Sequence, residues 1–139
     1  MKISDKVAGM QFSPIRKFNG MAIEAESQGT KVYHLNIGQP DIETPECFME
    51  AVRNYDSKVI AYAESAGLTE LQDAIIDYFK AYGAEYDRSN VQITAGGSEA
   101  LTMLFNAILD PGDEVIMAEP FYTNYVSFVK AACGSLVPI

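Results

Sequence analysis

Residues 91–118 change character repeatedly over a short length, and that rhythm constrains the fold more than any other feature of the chain. Val91-Gln92-Ile93-Thr94 reads as a short strand, Gly96-Gly97-Ser98 as a turn, and residues 99–109 as a helix whose buried face is Leu101, Leu104, Phe105 and Ile108. Asp110-Pro111-Gly112-Asp113 turns the chain again, and Glu114-Val115-Ile116-Met117-Ala118 reads as a second strand. Strand, helix and strand joined by tight turns make a parallel crossover, because parallel strands need a long return connection. A helix over residues 123–132, stopped by Gly134, then leads into Leu136-Val137-Pro138-Ile139, the beginning of a third strand. The expected class is α/β. A parallel sheet buries both faces and protects its edges, so the sheet is expected to be incomplete and the polypeptide truncated relative to its fold.

Upstream, Ile15, Phe18, Ala22, Ile23 and Ala25 fall near one face of a helix over residues 15–28, ended by Gly29. Residues 31–37 read as a strand running into the turn Gly38-Gln39-Pro40-Asp41. Thr44-Pro45 marks a helix start, with proline at the first helical position and threonine as cap. The most regular apolar stripe is Leu71, Ala74, Ile75, Tyr78, Phe79 and Tyr82. It predicts a core-facing helix, with Thr69 and Gln72 at capping-box spacing.

Ten basic against nineteen acidic residues leave a net charge of −9, so nucleic acid and anionic membrane surfaces meet net repulsion. No apolar run approaches the roughly 20 residues that span a bilayer, and Met1-Lys2-Ile3-Ser4-Asp5-Lys6 is too polar for a signal peptide. Cys47 and Cys133 lack Cys-x-x-Cys spacing and are too few for a disulfide framework or a thiolate metal site, which fits a reducing cytoplasm. One histidine, His34, excludes any site needing a His pair and reads as structural.

Two places carry chemistry. Gly96-Gly97-Ser98 opens a helix, whose N-terminal N–H groups and dipole suit an anion. A bound phosphate and a plain turn both fit, while the absence of Gly-x-Gly-x-x-Gly and of a Walker loop disfavours a nucleotide-binding βαβ domain. Pro120-Phe121-Tyr122 follows the second strand on the carboxyl side of the sheet, where open α/β sheets collect ligands. Tyr122 there is either a half-buried loop aromatic or a ring that stacks on a flat heterocycle.

Taken together, these residues resemble the N-terminal part of class I/II aminotransferases, fold-type I enzymes that use pyridoxal 5′-phosphate. The resemblance rests on Leu35-Asn36-Ile37-Gly38-Gln39-Pro40-Asp41 with Thr44-Pro45, on Tyr62 before Gly67 and Leu71, and on residues 93–101. It continues through Asp110-Pro111-Gly112-Asp113-Glu114-Val115 and Glu119-Pro120-Phe121-Tyr122 with Tyr125, and includes the Ser13-Pro14-Ile15-Arg16 start of bacterial aspartate aminotransferase-like proteins. It implies that Gly97 and Ser98 hold the cofactor phosphate, that Tyr122 stacks on the pyridine ring, and that Gly38 lies near the substrate carboxylate. It also implies that Tyr62 reaches the phosphate of a neighbouring subunit, in a homodimer whose active sites are shared across the interface. Residues 1–15 would drape over that partner. Residues 1–55 would form an N-terminal arm and part of a small domain, and residues 56–139 the start of the cofactor-binding large domain.

The family's cofactor-bearing lysine, the aspartate at the pyridine nitrogen and the arginine for the substrate α-carboxylate have no counterparts here, so no catalytic residue is expected in this chain. Lys2, Lys6, Lys17, Lys31, Lys58, Lys80 and Lys130 read as solvated surface residues. The expected activity of the parent is transfer of an amino group between an L-amino acid and a 2-oxo acid. The alternatives are a pyridoxal-phosphate-dependent carbon–sulfur lyase of the same fold and a non-catalytic truncated fragment or interaction module.

Overall fold

The computed structural model describes residues 2–10 and 13–139. The chain divides into two compact units, Met1–Asn36 with Thr94–Ile139, and Ile37–Ile93.

The first unit holds α1 (Asp5–Ala8), α2 (Asn19–Ser27), α5 (Gly97–Ile108), β1 (Glu114–Met117), α6 (Asn124–Ala131) and β2 (Ser135–Pro138). The second holds α3 (Glu46–Arg53) and α4 (Thr69–Lys80). β1 and β2 are parallel, in register Val115 to Leu136 and Ile116 to Val137. The ladder runs on at both ends: Ser135 N–H donates to Asp113 O at 2.8 Å, Ile139 N–H to Met117 O at 3.0 Å and Glu119 N–H to Ile139 O at 2.9 Å. The last predicted strand is thus a full partner of β1, and α6 is the crossover. The crossover expected from residues 91–94 is not realised. That stretch is extended but lies in no ladder, because no described strand pairs with it.

Residues 31–37 also form no strand, for the same lack of a partner, and His34 instead places Nε2 3.2 Å from Glu26 Oε1. The first predicted helix is split into a 3-10 turn over Pro14–Arg16 and α2, with Phe18 and Ile23 exposed. Pro45 sits just before α3 rather than at its first turn, and no side chain caps that helix. Cys47 and Cys133 are free and exposed.

The core of the first unit is Val129, fully buried, with Phe105 and Ala132, flanked by Leu101, Leu109, Val115, Phe128 and Leu136. Burying a side chain of this size contributes about 1.5–3 kcal/mol. α5 and α6 cover the face of the sheet that carries Val115 and Leu136, while Ile116 is exposed. Of the face predicted for α5, Phe105 and Leu101 reach the core, whereas Leu104 and Ile108 are exposed.

The stripe predicted to bury α4 does not do so: Leu71, Tyr78, Phe79 and Tyr82 are exposed, Tyr78 lying edge-on to Phe79 at 5.4 Å and Phe79 edge-on to Tyr86 at 6.0 Å. The buried residue is Gln72. Its Nε2 donates to Val91 O at 2.7 Å and is 3.4 Å from Arg88 O, so it ties α4 to the segment before residue 93 instead of closing a capping box with Thr69. Leu68 is the N-cap residue, with no side-chain bond. Gln72→Ala would strand a buried carbonyl, at an expected cost of about 1–3 kcal/mol, readable in thermal unfolding. An unchanged midpoint would show that water replaces the amide.

Arg88 clamps Asp73 through two bonds of 2.6 Å. The hydrogen bond from Arg88, with its charge, holds the Asp73 carboxyl below its ordinary value of 3.8. A carboxylate depressed by folding contributes stability above its unfolded value, and that contribution is lost as pH falls through the folded value. Arg88→Ala is therefore expected to flatten the acid limb of the unfolding midpoint below about pH 4. Parallel limbs for the two proteins would exclude the pair as a source of acid sensitivity.

Candidate functional site

The turn before α5 is built by Gly96, which has φ +91° and ψ 170°. That is a conformation side-chain-bearing residues avoid. Gly96 N–H donates to Thr94 O at 2.8 Å, and the Thr94 hydroxyl returns a bond to Gly96 O at 3.0 Å. The Glu99 carboxylate accepts from Ala95 N–H at 2.5 Å. These bonds close the turn so that α5 begins at Gly97, with no side-chain cap on its first N–H groups. The leading N–H groups of a helix have no intrahelical acceptor and carry the positive end of its dipole. Gly97 and Ser98 are exposed there, with nothing within 4 Å of where a Cβ on Gly97 would stand. The arrangement can hold a phosphate. Glu99 in the same first turn contributes the one opposing charge.

Tyr122 belongs to the same unit, in the segment between β1 and α6. It is 47% exposed. Its hydroxyl accepts from Asn124 Nδ2 at 2.7 Å, and its ring meets Tyr125 edge-on at 5.6 Å. The two features share one end of the unit. Leu109, at the end of α5, packs against Gly134, just beyond α6, with its Cδ1 3.0 Å from where a Cβ on Gly134 would stand. Leu101 packs further along the same two helices. The C-terminal ends of α5 and α6 therefore lie together, and their N-terminal ends, carrying Gly97-Ser98 and Tyr122, open on the carboxyl side of β1.

Tyr62 and Gly38 lie in the other unit. Tyr62 is fully exposed on a loop whose far end is pinned to residues 92–93: Ile93 N–H donates to Ala66 O at 3.0 Å and Gln92 Nε2 to Ser65 O at 2.8 Å. Gly38 is exposed, with open space around it. The sequence places Gly96 in the turn but gives no sign of the roles of Thr94 and Asn124. A glycine directly before the Gly-Ser of a helix start is the feature that points to Gly96, whereas the Asn124 bond depends on how the loop folds.

Residues 30–139 match the family model for aminotransferase class I and II. The chain is 37% identical to the aspartate/prephenate aminotransferase of Thermus thermophilus, across 99% of this chain and 36% of that protein. It is 34% identical to the aspartate aminotransferase of Bacillus subtilis, across 99% of this chain and 35% of that protein. A single mutant of the Thermus thermophilus aspartate aminotransferase superposes with a TM-score of 0.91 at 37% identity, over 100% of this chain and 37% of that one. The chain thus spans about a third of the length of the relatives it matches, corresponding to the N-terminal part of their fold. The family match over most of the sequence and the superposition of its whole length lead to one assignment: the chain belongs to the aminotransferase class I and II family.

Proposed function

We propose that this chain is the phosphate-holding N-terminal portion of a pyridoxal 5′-phosphate-dependent aminotransferase that moves an amino group between an L-amino acid and a 2-oxo acid. The observation that carries the reading is the uncapped start of α5 in the same unit as a half-exposed Tyr122, in a chain of this family. The donor set fits the cofactor. N–H groups at Gly97 and Ser98, with the Ser98 hydroxyl, suit a dianionic phosphate, and Tyr122 offers a flat face to a pyridine ring. When bound, the cofactor supplies the electron sink for chemistry at the amino acid's α carbon. This chain's residues bind and orient it, Asn124 anchoring the Tyr122 hydroxyl while Tyr125 packs edge-on against the Tyr122 ring.

The reading places Tyr62 at the phosphate of a neighbouring subunit in a homodimer and Gly38 near the substrate carboxylate. Residues 1–55 serve as arm and part of the small domain, and residues 56–139 as the start of the large domain. It assigns no catalytic residue to these 139 positions. The named relatives are all aminotransferases, with aspartate, prephenate and other substrates in their names, so the substrate class is amino acid and 2-oxo acid. No helix among the described residues is long and apolar enough to cross a membrane. The reading sets the enzyme in the cytoplasm.

The test is a calorimetric titration of the protein, as its cell makes it, with pyridoxal 5′-phosphate and with pyridoxal. Pyridoxal is expected to bind at least tenfold more weakly, and Ser98→Ala to weaken the phosphate form about tenfold, since a hydrogen bond to a charged group contributes about 1.5–3 kcal/mol. Equal affinity for both compounds, or no binding of either, would sink the proposal.

A further inference from the structure

The resemblance sends residues 1–15 over a partner subunit, yet the described part of that segment is fastened to its own chain. Ser4 Oγ accepts from Val7 N–H at 3.3 Å and caps α1. Lys6 Nζ then donates to Ala131 O at 2.7 Å, at the C-terminal end of α6, where the helix dipole attracts a cation. In return, Lys130 Nζ donates to Gly9 O at 2.5 Å. Each side therefore lends a lysine to a carbonyl of the other. Gly9 has no side chain to obstruct the second bond: a Cβ there would stand 2.9 Å from Lys130 Nζ and 3.4 Å from its Cε. A cavity of about 590 Å³ is lined by Gly9 and Met10 of this segment together with Pro14, Ser127, Lys130 and Leu136.

We propose that residues 4–10 are an intrachain strap that covers this cavity, latched to α6 by the reciprocal bonds of Lys6 and Lys130. The bonds that carry the inference belong to this unit's own geometry, and the cavity also reaches Phe121, Thr123 and Asn124 beside Tyr122. Opening the strap breaks two charged hydrogen bonds and little apolar packing, because α1 contains no buried residue. Such a segment opens locally, without unfolding the core built on Val129.

Hydrogen exchange followed by mass spectrometry tests the latch through the amides of Ala8, Gly9 and Met10, which donate to Ser4 O, Asp5 O and Val7 O. Lys130→Met is expected to speed their exchange about tenfold while α5 is unchanged, and Lys6→Met to act similarly. Gly9→Ala should reproduce the effect by displacing the Lys130 amine, and Lys130→Arg should preserve most of the protection. An apolar fluorescent dye should bind the Lys130→Met protein more strongly as the cavity opens. Unchanged exchange in the methionine variants would overturn the latch, as would an equal rise throughout α5. Faster strap exchange without added dye binding would overturn its role as a cover.

Discussion

Gly67→Ala is expected to destabilise the unit Ile37–Ile93 by about 3 kcal/mol or more, lowering its unfolding midpoint by on the order of 10 °C. Two effects add. Gly67 has φ +100°, a left-handed conformation that an L side chain adopts only with strain. A Cβ there would also stand 2.3 Å from both Cβ and Cγ1 of Ile93, an overlap that rotating the Ile93 side chain cannot relieve because its Cβ is fixed to the backbone. Gly83→Ala separates the two contributions: Gly83 has φ +79° with nothing within 4 Å, so it registers the strain alone, about 1 kcal/mol. Equal losses at the two glycines would remove the Ile93 overlap from the account. Gly67 follows Ala66, whose carbonyl accepts from Ile93 N–H, at the end of the loop that presents Tyr62. On the proposed reading, Gly67→Ala should also weaken cofactor binding.

Val129→Asp is expected to abolish the cooperative folding of the other unit. Val129 is fully exposure-free among Phe105, Ala132 and their apolar neighbours, and an unpaired carboxylate there has no partner to offset its desolvation. The cost exceeds about 4 kcal/mol, a large part of a domain's total stability. Val129→Ala, which removes only packing, should cost about 2 kcal/mol. Val126→Asp, on the exposed side of the same helix, should cost about 1 kcal/mol or less. Near-ultraviolet circular dichroism, to which the Tyr122–Tyr125 pair contributes among the chain's eight tyrosines, reports the outcome, since Tyr125 lies in α6 and Tyr122 just before it. Retention of that signal in Val129→Asp would mean that α6 does not need this core to place Tyr122.

Local chemistry was legible in the order of residues wherever a few neighbours decide the outcome. A helix starting within two residues of Gly97, the turn at Asp110–Asp113 and a helix leading into the last strand all follow from turn residues beside periodic apolar ones. The helix N-terminus that suits a phosphate is itself a property of adjacent residues, so Gly97 and Ser98 could be named from sequence. Strands were another matter. Residues 31–37 and 91–94 have strand-like side chains, but a strand exists only when another supplies its hydrogen bonds, and the only described pair is β1 with β2.

Periodicity likewise announced an apolar face on α4 without saying what would cover it. In the structure Leu71, Tyr78, Phe79 and Tyr82 remain exposed, and the buried position went to Gln72, a polar residue chosen by the carbonyl of Val91. The two lysine bonds that hold residues 4–10 to α6 join positions more than a hundred residues apart, so nothing local announces them. The amino-acid sequence alone determined the helices, the turns and the anion-ready helix start, because those depend on contacts within a few residues. Only the tertiary structure decided which strands pair, which side chains are buried and where the N-terminal segment is fastened, because each depends on a partner that folding brings near from far along the chain.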